Sequence, residues 1–371
     1  MELPPPDVLA PRGTALGRAL AARDLDVLVV TSLTNVSYLT GLYASAAVLI
    51  VGPSGLHLIS DGRYALALSE RAEHYPAIRP VELAPGASYD AALVATLQQY
   101  RGARVGIEAS HLSVAKYRYL STELQKHGWA EDLRETDGVV EALRVRKDSW
   151  EIARIRDGAA RLSDVAKRVI SKDLTGVAEF EVAAAIEADL RRAGFARPAF
   201  DTIVAGGPNA ALPHGRPTGR RIEPADVVLL DFGGVLDGYC TDLSRTLVMP
   251  PGNRDAQRLI GQVVEAQAAA FGAVRAGAAP EAVDQAARDC LEAAGLGEAF
   301  IHGTGHGLGL EIHEAPRVSR WRDGAAEPAL ADGMVVTLEP GVYVPGWGGV
   351  RIEDDVLVTE DVAEWLTDVP R

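Results

Sequence analysis

Five side chains able to hold a divalent cation stand in unusual company along this chain: Asp231 in LLDFGG, Asp242 in CTDLSRT, His306 in HGTGHGLG, Glu339 in TLEPG and Glu353 in VRIEDD. Each alone has an ordinary explanation, because an Asp beside a turn is usually a cap or a solvated side chain. Their arrangement is what points to chemistry. Asp231 ends the apolar run Val227 to Leu230, and Asp242 falls in the next strand-like run, with Asp237 and Gly238 supplying turn residues between them. Centring that turn between Leu236 and Asp237 sets Asp231 directly opposite Asp242, with Cβ atoms about 5 Å apart. Glu339 pairs with Glu353 in the same way across a turn centred on Gly346, inside the turn-rich stretch Pro345 to Gly349. Carboxylates opposed across a ladder repel unless something neutralises them. Two such pairs and one imidazole suit two divalent ions roughly 3.5–4 Å apart, the arrangement of two-metal hydrolases. An oxygen-rich set without thiolates favours Mn, and Zn or Co would also bind.

The histidines divide into two groups. His302 and His306 are four apart, but Gly303, Gly305 and Gly307 argue against a helix and for a segment whose backbone comes close to something. His313 follows in EIHE and His214 precedes in LPHG, both near the acidic set in sequence pattern. His57, His74, His111 and His127 read as ordinary core or surface residues. Cys240 shares a strand face with Asp242 and reads as a small buried neighbour rather than a nucleophile; the Ser244 hydroxyl is ambiguous. No Gly-rich phosphate loop ending in Lys and Ser or Thr is present.

These residues need a scaffold, and 371 residues supply material for two domains. The alternation of short apolar strands (Val27 to Val30, Ala46 to Val51, Leu56 to Ile59, Val105 to Ile107) with helical segments (Tyr64 to Ala72, Ala91 to Tyr100, Val114 to His127) predicts a small α/β domain over residues 1–136. Residues 137–371 are expected to form a second domain. It opens with a long amphipathic helix announced by the capping-box pair Asp148 and Glu151. Helices over Glu179 to Ala193, Asp255 to Arg275 and Pro280 to Ala294 follow, each helix pair succeeded by a hairpin. Two successive helix, helix, hairpin units imply a pseudo-symmetric α/β (α+β) catalytic domain whose sheet carries its helices on one face.

Composition removes other classes of function. With 47% hydrophobic and 24% charged residues the chain is of ordinary globular make-up. Its net charge of −14 repels phosphate backbones and anionic membranes, so neither nucleic acid nor membrane is expected as a partner. Cys240 and Cys290 are too few for a disulfide framework. No signal-peptide pattern opens the chain and no apolar run approaches a bilayer span, so a cytoplasmic location is expected.

At these residues the sequence resembles the creatinase-type, or pita-bread, metallopeptidases, and within them the Xaa-Pro group of prolidases and aminopeptidases P. NVSYLTG and DGRY are similar to that family's amino-terminal domain, LRVRKDSWEI to its domain junction, and ALPHG, DFGG, YCTDLSRT, GTGHGLGLEIHE, LEPGVY and GGVRIED to its active-site segments. The resemblance implies a curved, mainly antiparallel sheet covered by helices. It implies that Asp231 binds one metal, that His306 and Glu339 bind a second, and that Asp242 and Glu353 bridge both. His214 and His313 match the family's substrate and transition-state histidines, and His302 a further pocket histidine. The substrates implied are short peptides with proline in second place, with aminopeptidase P favoured over prolidase, in a homodimer or higher homo-oligomer. The rival readings are a non-catalytic peptide-binding protein and a metal-free amidinohydrolase of the same fold.

Overall fold

A computed structural model of the chain describes residues 2–129, 133–320 and 327–371. They divide into two compact units, Glu2–Arg144 and Val145–Arg371.

The first unit runs α1 (Pro6–Ala21), β1 (Val27–Val30), α2 (Leu33–Thr40), β2 (Val48–Gly52), β3 (Gly55–Asp61), α3 (Ala65–His74), β4 (Ile78–Leu83), α4 (Tyr89–Leu97), β5 (Val105–Glu108), α5 (Val114–Lys126), β6 (Arg134–Thr136) and α6 (Glu141–Arg144). Its strands form one mixed sheet in the order β4-β3-β2-β1-β5-β6. The unbroken apolar run of β1 is buried throughout, as a strand covered on both faces requires. Residues 137–144, expected in the second domain, pack with the first. The reason is a polar tie: Asn35 Nδ2 donates to Glu141 at 2.6 Å, and an Arg144 Nη donates back to Asn35 Oδ1 at 2.8 Å, fixing α6 to α2.

The second unit continues with α7 (Ser149–Ile170), α8 (Glu179–Arg192), β7 (Arg197–Pro198), β8 (Ile203–Gly206), β9 (Val227–Asp231), β10 (Gly234–Leu236), β11 (Tyr239–Cys240), β12 (Ser244–Val248), α9 (Arg254–Ala273), α10 (Pro280–Ala293), β13 (Gly305–Gly307), β14 (Glu314–Val318), β15 (Val335–Leu338), β16 (Gly341–Val344), β17 (Gly348–Arg351), β18 (Asp354–Leu357) and β19 (Glu364–Trp365). The strand pairings within this unit are antiparallel.

The capping box opens α7 as the sequence predicts, and Ile155, Ala159, Leu162, Ala166 and Val169 bury one stripe of it. That stripe and α8 pack on Val204, Val228 and Leu230 of β8 and β9, while α9 and α10 pack on Val336, Val350 and Val356 of β15, β17 and β18. Each fully buried Val or Leu stabilises the unit by roughly 1.5–3 kcal/mol relative to exposure. The two helix pairs therefore back the two sets of strands that carry the acidic residues. Among the described residues no helix is long and apolar enough to cross a membrane.

The registers matter most for chemistry. Across β15–β18 and β16–β17 the ladder keeps one register, Leu338 facing Asp354 and Gly341 facing Arg351, so Glu339 and Glu353 fall opposite each other about a turn at Gly346, as the sequence predicts. The other hairpin differs from expectation. Val235 faces Cys240 and Leu236 faces Tyr239, which puts the turn on Asp237 and Gly238. Both have positive φ, 49° and 91°, as a two-residue turn matched to strand twist requires. Asp231 consequently faces Ser244 rather than Asp242. The slip is two residues, so Asp242 stays on the same face, one step along.

Candidate metal centre

A single cavity of about 590 Å³ in the second unit is lined by all eight residues singled out in the sequence: His214, Asp231, Asp242, His302, His306, His313, Glu339 and Glu353. Ligand atoms of Asp242, His306 and Glu353 lie within 4.8 Å of one another. His306 Nε2 is 3.8 Å from both Asp242 Oδ2 and Glu339 Oε1. The glycines around His306 explain its placement: a Cβ at Gly305 would sit 1.9 Å from the Thr337 carbonyl oxygen and one at Gly307 2.2 Å from that of Ala315. Only glycine lets β13 lie this close between its neighbours.

Hydrogen bonds orient the imidazoles. His306 Nδ1 donates to the Gly307 carbonyl at 3.0 Å, leaving the Nε2 lone pair facing the carboxylates, the tautomer a metal ligand needs. Burial pushes its pKa down to about 4, so it is neutral at pH 7. His302 is also held near 4 by burial; its Nδ1 donates to the Gly303 carbonyl, and its Nε2 accepts from the Tyr343 hydroxyl at 2.9 Å. His313 meets the His306 ring edge-on at 4.4 Å.

The acidic groups are electrostatically poised. Burial first, and neighbouring carboxylates second, raise Asp242 and Glu353 well above the ordinary carboxylate range. Burial likewise raises Glu339. Ser244 Oγ donates to Glu353 Oε2 at 2.7 Å, which gives the ambiguous serine a role as an orienting donor. Asp231 Oδ1 and Asp242 Oδ1 are buried and accept no hydrogen bond from the described residues. Orphaned carboxylate oxygens are costly in a protein interior. Two of them, on residues lining a cavity that also carries other carboxylates and a neutral imidazole, fit divalent cations of the oxygen- and nitrogen-binding kind.

Sequence reasoning passed over two residues here. Arg351 is 3% exposed; its guanidinium donates to Asp231 Oδ2, to the Tyr343 hydroxyl at 2.7 Å and to Ser244 Oγ at 3.0 Å. Its place opposite Gly341 in GGVR carries no sign of that partner. Arg317, exposed and paired with His306 in the β13–β14 ladder, lines the cavity at its rim. Cys240 is 1% exposed and burial pushes its thiol up to about 12, so it is no nucleophile.

Residues 153–360 match the model of metallopeptidase family M24, and residues 12–146 that of the creatinase/prolidase N-terminal domain. A Xaa-Pro dipeptidase of Pyrococcus horikoshii is 34% identical over 351 residues, covering 94% of each chain. An uncharacterised peptidase of Bacillus subtilis is 33% identical over 347 residues, 94% of this chain and 95% of that one. The solved structure of a Xaa-Pro dipeptidase from Bacillus anthracis superposes with a TM-score of 0.89 at 30% identity over 98% of both chains, and that of an X-Pro aminopeptidase from Thermotoga maritima with 0.85 at 28% over 95% and 98%. Matched along both units, with its pita-bread catalytic domain intact, the chain belongs to metallopeptidase family M24.

Proposed function

We propose that this protein is a Xaa-Pro dipeptidase with two divalent ions, Mn foremost, held by Asp231, Asp242, His306, Glu339 and Glu353. The observation that carries the reading is the pair of buried, donor-free carboxylate oxygens on Asp231 and Asp242 in a cavity that also holds a neutral His306. Such ions lower the pKa of a bound water toward ~7 and polarise a scissile carbonyl. The remaining work falls to the chain. Glu339, on the cavity wall, would take up the attacking water's proton and deliver it to the departing proline nitrogen. His214 and His313, both on the cavity wall, donate to the substrate main chain and to the developing oxyanion. The amide before proline has no N–H, so recognition rests on the ring and carbonyl, which suits walls containing Phe200, Pro213 and Ile312.

The exposed guanidinium of Arg317 at the rim favours a dipeptide over a longer peptide, because a dipeptide's terminal carboxylate ends close to the scissile bond. This turns the preference toward prolidase activity, and relatives named Xaa-Pro dipeptidase agree with it. Turnover of Xaa-Pro, Xaa-Pro-Yaa and Xaa-Ala peptides by the Mn-loaded protein tests the reading. Xaa-Pro should be hydrolysed fastest; a faster tripeptide would make it an aminopeptidase, and equal turnover of Xaa-Ala would remove proline selectivity. Arg317→Gln should lose roughly 10- to 100-fold in kcat/KM on Xaa-Pro, the worth of one charge-assisted hydrogen bond, and almost nothing on the amidated dipeptide.

Metal binding should also answer to pH. Without a cation, the raised pKa values of Asp242 and Glu353 mean that protonation stabilises the fold; this contribution is full below the ordinary carboxylate pKa and is lost as pH rises through the raised values. A cation displaces those protons. Mn at 100 times its Kd, worth about 2.7 kcal/mol, should therefore raise Tm by several degrees at pH 8 and by clearly less at pH 5.5 at the same concentration. Equal shifts in scanning calorimetry would contradict it.

A further inference from the structure

Arg245 does not line the cavity, yet it is 2% exposed and all of its N–H groups meet acceptors. Nε donates to the Pro370 carbonyl at 2.9 Å; one terminal nitrogen donates to the carbonyls of Ser244 at 2.9 Å and Glu353 at 2.6 Å; the other donates to Asp354 Oδ1 and the Val369 carbonyl, each at 2.8 Å. A guanidinium has five donors, and here each has its own acceptor. Asp354, fully buried, also accepts from Thr367 Oγ1 at 2.7 Å and from Gln267 Nε2 and Arg371 Nε at 3.0 Å each. Arg371 in turn lies 4.2 Å over the Trp365 ring, which stacks on Phe271 at 4.0 Å.

The sequence neighbours of this pair give it meaning. Arg245 follows Ser244, the donor to the Glu353 carboxylate, and Asp354 follows Glu353 itself. The Glu353 amide also donates to the Ser244 carbonyl at 3.1 Å. The fork thus grips main chain on β12, in the sheet that ends at Asp231, and just before β18, in the sheet that leads to Glu339. Four carboxylates without cations push these two sheets apart, and a buried ion pair is valued more for holding geometry than for net stability.

We propose that Arg245 and Asp354, locked by the segment 367–371, set the spacing between the two acidic hairpins and so set how tightly the centre takes divalent ions, without any of these side chains reaching it. This rests on the metal centre proposed above. Partners behind metal ligands commonly change affinity 10- to 100-fold when altered.

The test uses the full chain, stripped of metal and titrated calorimetrically with Mn alone. Thr367→Val combined with Arg371→Gln removes two donors to Asp354 and leaves Arg245 in place. The expected result is a folded protein by circular dichroism that binds Mn 10- to 100-fold more weakly, with an unchanged KM for a Xaa-Pro dipeptide at saturating Mn. Arg245→Lys, which replaces the fork by a point charge, should weaken binding further; if it does not fold, the milder variant decides. A folded double variant with Mn affinity within twofold of wild type, whatever its Tm, overturns the proposal. A wild-type chain that binds no divalent ion overturns the metal centre as well, so the two failures are distinguishable.

Discussion

Asp242→Asn is expected to lower kcat/KM for a Xaa-Pro dipeptide by about a thousandfold or more at saturating Mn, since losing ~4 kcal/mol of metal-assisted stabilisation is three decades in rate. The side chain is 5% exposed, its Oδ1 meets no donor, and its Oδ2 faces His306. Asn preserves the shape but puts an amide where the proposed centre would need an anionic oxygen. Metal per chain, measured by mass spectrometry, should fall along with the rate. The metal-free variant should be at least as stable as metal-free wild type, because neutralising one of several crowded carboxyls relieves repulsion and desolvation. An ordinary structural Asp would behave in the opposite way, and full activity with full metal content would remove Asp242 from the centre.

Glu339→Gln is the second large effect. Glu339 has its backbone fixed by an amide that donates to the Thr304 carbonyl at 2.7 Å, and its side chain, 20% exposed, reaches toward His306. A carboxylate at this place on the cavity wall can accept a proton from an attacking water and pass it to a leaving nitrogen. Gln retains one ligand oxygen and cannot carry the proton. At verified full metal occupancy, kcat should drop by roughly 10²- to 10⁴-fold with KM within a few-fold of wild type. An unchanged kcat under those conditions would assign the proton transfer elsewhere.

Much of this site was legible because its signals are local. Asp148 and Glu151 specify the start of α7 by themselves, and the three-residue turn centred on Gly346 fixes the pairing of Glu339 with Glu353. The first hairpin was harder. Two candidate turn centres lie one residue apart, and only the left-handed backbone at both Asp237 and Gly238 selects the right one. Helix α2 carries little signal of its own, since Thr34, Val36 and Thr40 are β-branched and disfavour a helix; tertiary burial, the Ser32 cap and the left-handed Gly41 override that preference. Arg351 was illegible for a deeper reason. Its partner Asp231 lies 120 residues away, and no period or turn in GGVR reports such a contact.

Ser244 and Glu353, joined side chain to side chain, are 109 residues apart in the chain. A ribosome making this protein therefore releases Asp231, Asp242 and His306 long before the strand that would complete their cage. During that interval the emerging polypeptide holds only part of the proposed ligand set, and binding that needs the whole set follows closure of the last hairpin. Glu353 is the last of the five to be made, so any affinity that depends on all of them comes only with completion of the second unit.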